Sequence, residues 1–137
     1  MAKLFVLLLI ILLPTAHAQQ ASQVGIAVYI NNVDVIDPKK ENIALDLILS
    51  LQWQTGQQWS QKQFYYGDGV NKLLDSIWWP YYQVQHSRGP IKIIRQALEI
   101  DKSGQADYKA HINVTIDTKM NMRRFPFDSH ILKIIVQ

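Results

Sequence analysis

The chain has 137 residues, is 48% hydrophobic, carries a formal net charge of +3 and contains no cysteine. Without thiols there are no disulfides, thiolate metal sites or cysteine nucleophiles, so packing alone must hold the fold. Its Lys and Arg never run longer than a pair (Lys39-Lys40 and Arg123-Arg124), which argues against a nucleic-acid partner.

Residues 1–18 read as an export signal. Lys3 supplies a positive start, Leu4 to Leu13 is an unbroken apolar run, Pro14 and Thr15 break it, and Ala16-His17-Ala18 is a small-x-small cleavage site. As a helix the run would span about 15 Å, half of a bilayer core that needs roughly 20 residues, so it is a removable signal and not an anchor. Residues 19–137 then form one exported domain, long enough for a core. No second apolar run reaches spanning length.

Period-two alternation dominates the remainder of the chain. Val24, Ile26, Val28 and Ile30 share one face of a strand that Asn31-Asn32 closes, and Asp37-Pro38-Lys39-Lys40 makes a charged turn. Leu45, Leu47, Leu49, Leu51 and Trp53 then line one face of a second strand. Asp46, Ser50, Gln52 and Gln54 line the other, with Ile48 the apolar exception. Residues 55–72 are polar and Gly-bearing and read as a loop; residues 73–79 lead into Trp78-Trp79-Pro80. A strand over 91–100, a hairpin turn at Asp101-Lys102-Ser103-Gly104 and a return strand come next. The return strand sets Tyr108, Ala110, Ile112, Val114 and Ile116 against Lys109, His111, Asn113, Thr115 and Asp117. A polar loop, 118–130, contains Phe125-Pro126-Phe127-Asp128. Ile131 to Val136, apolar on both faces, reads as a central strand in need of neighbours. These features predict an all-β sandwich and a chain that is the first part of a larger one.

Catalytic and metal constellations are weak. His86, His111 and His130 show no i, i+2 or i, i+4 pairing, so no zinc set is expected. Asp128-Ser129-His130 holds triad residue types, but adjacency is not triad geometry. Asn113-Val114-Thr115 fits an N-glycosylation acceptor. Neither an enzyme nor a cofactor is expected. The dense aromatics divide: Trp53 and one of Trp78 and Trp79 are expected in the core, and Tyr65, Tyr66, Tyr81 and Tyr82 along a surface or interface.

Four features in fixed order carry a resemblance: the strand closing on Leu51-Gln52-Trp53; Ile77-Trp78-Trp79-Pro80; the hairpin at Asp101 to Gly104 with Tyr108 after it; and Met120-Asn121-Met122-Arg123-Arg124-Phe125-Pro126-Phe127-Asp128-Ser129-His130. Together they resemble the extracellular ligand-binding domain of the pentameric ligand-gated ion channels, the Cys-loop receptor superfamily, in its cysteine-free prokaryotic form. The departures are local. The family's loop cysteines would fall at Thr118 and Leu132, Asn121 and His130 replace the usual Asp and Gln, and Tyr81 takes the Asp place after Trp-x-Pro.

The resemblance implies an immunoglobulin-like sandwich, five identical or related subunits, and a small-molecule agonist bound between neighbours. Membrane helices following this domain would complete the channel at the extracellular or periplasmic face. It implies structural roles for Trp53, Trp78 and Pro80. Ile48 and Ser50 would contact agonist from one subunit, and Gln85 and His86 from the next. Arg123, Phe125, Pro126, Phe127 and Asp128 would form the main coupling loop, and Asp37, Pro38, Lys39 and Lys40 the second. The competing expectation is a soluble exported β-sandwich that binds an amine or sugar with its aromatics and has no pore.

Overall fold

The computed structural model describes residues 23–119. The export signal, the 120–130 loop with Arg123, Phe125, Pro126, Phe127 and Asp128, and the strand expected at 131–136 lie outside the described residues.

The fold is all-β, as expected for one layer of a sandwich. Five strands, β1 (Val24–Asp37), β2 (Asn42–Gln54), β3 (Gln63–Tyr66), β4 (Lys92–Ile100) and β5 (Gln105–Asp117), form one antiparallel sheet in the order β1-β2-β5-β4-β3. A short helix, α1 (Asp68–Leu74), packs beside it. The leucine alternation decides the register of β2. Leu45, Leu47, Leu49, Leu51 and Trp53 are all buried, and they pair across the ladder with Val114, Ile112, Ala110, Tyr108 and Ala106 of β5. Each buried Leu contributes about 1.5–3 kcal/mol, and a one-residue slip would turn all of them to water. Trp59, Tyr65, Leu73, Ile77, Trp79, Tyr82 and Ile91 pack over this inner face.

Three expectations change. First, β1 does not stop at Asn31-Asn32 but runs to Asp37. Its register shifts between Ile30 and Asn32 and again between Val33 and Val35, so Asn31 and Asp34 are extra residues without ladder partners. Each bulge resets the alternation, and Ile30, Val33 and Ile36 therefore share the inner face although three residues apart. The asparagines that read as a terminator are the bulge itself.

Second, the 55–72 loop contains β3 and the start of α1. Gly67, at φ 54°, lets the chain turn from strand into helix. Val70 and Leu74 face the core, and Gln96 of β4 donates to the Gly67 carbonyl (3.1 Å) and the Asn71 side chain (2.8 Å). The helix is too short to be stable alone, and this docking holds it.

Third, Trp78 is not a core residue. Its ring is 55% exposed, while Trp79 packs against the core. Trp78 contributes its carbonyl, which accepts the indole N–H of Trp53 at 3.1 Å. Trp53 itself is 1% exposed, and Pro80 is half-buried.

Candidate functional site

Cross-strand pairing arranges the outward side chains into rows. One runs Tyr29, Ile48, His111, Arg95; the next Ala27, Ser50, Lys109, Ala97, Tyr66; the third Gly25, Gln52, Asp107, Glu99, Phe64. Ile48 and Ser50 thus sit mid-face, both half-buried. Ser50 lies directly beside Lys109, which lines a shallow groove with Phe64, Tyr66, Glu99 and Asp107.

The groove is charged and balanced. Glu99 and Asp107 oppose one another, a repulsive pairing unless neutralised. Lys62 pairs with Glu99 and lies 4.9 Å from the centre of the Phe64 ring; Lys109 stands 3.8 Å from Asp107. Gln52 donates to the same Asp107 oxygen at 3.1 Å, and the other oxygen is buried with no partner. Ammonium, carboxylates and two exposed rings suit recognition of a polar or cationic group, or of a neighbouring surface.

Beside the groove, His111 bridges Asp46 and Arg95. Its Nε2 contacts the Asp46 carboxylate and its Nδ1 lies 3.4 Å from the Arg95 guanidinium. A guanidinium only donates, so Nδ1 is the acceptor and Nε2 carries the proton given to Asp46. Asn31, the bulge residue of β1, donates to the other Asp46 oxygen at 2.9 Å. That bond, followed by the contact with His111, lowers the Asp46 pKa. The second bulge residue, Asp34, accepts from Asn113 at 2.9 Å. The bulges thus aim polar side chains of the edge strand across the face.

A different cluster occupies one end of the sheet, around a cleft of about 540 Å³. The β1–β2 turn is built on Asp37, whose Oδ1 accepts from the amides of Lys39 and Lys40, both at 3.0 Å. The Lys40 amide is the main cause of the lowered Asp37 pKa. β4 pairs with β5 only as far as Asn113; beyond it residues 86–88 take over that edge. His86 is exposed there and Gln85 half-buried. The structure does not bring the four expected ligand contacts together within one chain. Ile48 pairs with His111, six positions up β5 from Asp117, or roughly 20 Å of strand. Instead it joins His86 to the β1–β2 turn.

Arg88 was missed in the sequence. Its side chain pairs with Asp117 at 2.8 Å and donates to the Lys40 carbonyl at 3.2 Å. Its partners are distant in the chain, so no local motif marks it; the only signal was Asp117 on the polar face of its strand. Phe64 was missed because β3 read as loop, whereas Tyr66, expected along a surface or interface, is exposed in the groove. Among the described residues no three His, Asp or Glu converge as a metal site, and no helix is long and apolar enough to cross a membrane.

The chain matches the family described as neurotransmitter-gated ion-channel ligand binding domain over residues 4–136. No curated protein matches it.

Proposed function

Because this chain belongs to the family of neurotransmitter-gated ion-channel ligand binding domains, we propose that it is the agonist-receiving part of a pentameric channel, exported by its first 18 residues. That family is one of binding domains, not of catalysts. Five identical or related subunits bind an unidentified small molecule between them. Ile48 and Ser50 lie on one side of that interface, and Gln85 and His86 on the other. Occupancy is transmitted through Arg123, Phe125, Pro126, Phe127 and Asp128, together with Asp37, Pro38, Lys39 and Lys40.

One observation supports the transmission most directly. The β1–β2 turn is bonded to the last residues of β5, so it adjoins the point from which the chain enters 120–130. The Thr118 amide donates to the Glu41 carbonyl at 2.8 Å, and Arg88 reaches both the turn and Asp117. The outward rows support the interface: exposed aromatic rings bordered by paired charges match the aromatic-enriched, polar-rimmed make-up of protein interfaces.

Two experiments test this. The coding sequence beyond codon 137 is expected to encode four apolar segments of about 20 residues; an early stop would favour the soluble binder without a pore. Currents from the full-length protein in oocytes, elicited by a panel of small amines and amino acids, should fall at least about tenfold in Phe127→Ala at equal surface expression, if binding is coupled through a packed loop. Unaltered currents would sink the coupling role.

A further inference from the structure

Among the described residues only two besides glycine hold a left-handed backbone: Glu41 at φ 51° and His86 at φ 60°. Residues with a Cβ are held in that region only where the surroundings impose it, and such strain gathers at functional positions. These two come from distant segments, yet they line the same cleft at the end of the sheet. Each offers its carbonyl to one of two consecutive amides. Asp117 N–H donates to His86 and Thr118 N–H to Glu41, both at 2.8 Å. Between them Arg88 closes the junction three times: its amide donates to the Thr115 carbonyl at 2.7 Å, and its guanidinium engages Lys40 and Asp117.

We propose that Glu41, His86 and Arg88 form a latch fastening the exit of β5 to the β1–β2 turn, and that His86 acts there through its backbone and not its imidazole. The imidazole is free to face solvent while the carbonyl does the holding. The latch deepens the coupling reading and rests on it for its purpose: a turn and a loop fastened at Asp117 and Thr118 move as one body. Opening the junction would let both left-handed residues relax. Within the junction these are positioning residues, and the agonist contact proposed above for His86 would be made separately, by its imidazole.

Glycine and valine at the same position separate a backbone role from a side-chain role. Glycine adopts positive φ freely, and a β-branched residue resists it. The test is hydrogen exchange, followed by mass spectrometry, on the full-length protein in detergent. His86→Gly is expected to leave exchange at the Asp117 amide within about twofold of native, and His86→Val to speed it about tenfold. Glu41→Gly and Glu41→Val should do the same at Thr118. His86→Ala replaces the valine variant if peptides from 45–53 lose protection, which would signal general unfolding. Arg88→Gln should speed exchange about fivefold in peptides 37–41 and 115–119 together, leaving 45–53 unchanged. Equal behaviour of glycine and valine, or independent behaviour of the two peptides, would overturn the latch. Currents recorded from Arg88→Gln decide a separate matter. If exchange is coupled in this way and gating is unchanged, the latch stands and the coupling reading fails.

Discussion

Trp53 is anchored twice, by burial of its ring and by the bond from its indole N–H to the Trp78 carbonyl. Trp53→Ala is therefore expected to cost about 3–5 kcal/mol in urea unfolding of the full-length protein, followed by circular dichroism. Trp78→Ala should cost less than about 1 kcal/mol, since its ring is exposed and its carbonyl survives the change. Equal losses would place both rings in the core. Two adjacent tryptophans cannot be told apart by alternation outside a strand, which is why the residue pattern left Trp78 and Trp79 open and only the family resemblance favoured Trp78. A second consequence concerns pH. Asp37 is held below the ordinary carboxylate range first by the Lys40 amide, and Asp101 first by the Ser103 hydroxyl. Both folded-state pKa values are depressed, so the stabilisation is present above the unfolded value near 4 and is lost as pH falls through the folded values. Thermal melts should fall as the solution is acidified below about pH 4, less so in Asp37→Asn and Asp101→Asn. An identical acid response in native and variant protein would rule out these two carboxylates as contributors.

At the scale of elements, the 101–104 hairpin makes a clean comparison. Gly104 has φ +86°, and a Cβ there would come within 2.0 Å of the Gln57 carbonyl oxygen. Gly56 has φ +75° with open space around it. Gly56→Ala should cost about 1 kcal/mol from backbone conformation alone. Gly104→Ala should cost more than about 3 kcal/mol, because the 55–59 segment must also shift. Matching midpoints in denaturant would contradict the close approach. Leu47→Ala and Ile48→Ala extend the test to β2, where about 2–5 kcal/mol is expected for the buried leucine and less than about 1 for its outward neighbour. β2 and β5 were legible because each keeps an unbroken two-residue period between clear punctuation, and the 101–104 turn because Asp and Gly mark it; β4 was found as the partner strand of that hairpin although its register shifts between Ile93 and Arg95. β3 spans only Gln63–Tyr66 and α1 only Asp68–Leu74, too few residues for a period to emerge. Half of β1 was lost because its two bulges break the alternation that identifies a strand.

At the scale of the molecule, β1 is an edge strand of the sheet among the described residues, and it is exposed. Val24, Ile26, Val28, Ile30, Val33 and Ile36 of β1 are 36–57% exposed, on the side of the sheet that elsewhere is core. An apolar edge strand templates association. Residues 19–137 expressed on their own are expected to self-associate in sedimentation velocity, and the double change Ile26→Lys, Ile30→Lys should shift the population toward monomer. A monomeric native fragment at every concentration would refute this. The candidate site is legible only in part at this scale. Ile48 and Ser50 could be assigned to an outward face from alternation, but the junction of Lys40, Arg88 and Asp117 exists only once the sheet has formed. Its contacts link residues 29 and 48 positions apart, and no window of sequence contains them.

The two bulges of β1 also decide where the gene can change length. Deleting codon 31 or codon 34 would heal the ladder and leave every upstream side chain on its present face, at the cost of the bonds to Asp46 or Asn113. Deleting any regularly paired codon, such as that of Ala27, would invert everything before it. Among natural variants of this strand, single-codon gaps should therefore accumulate at those two sites.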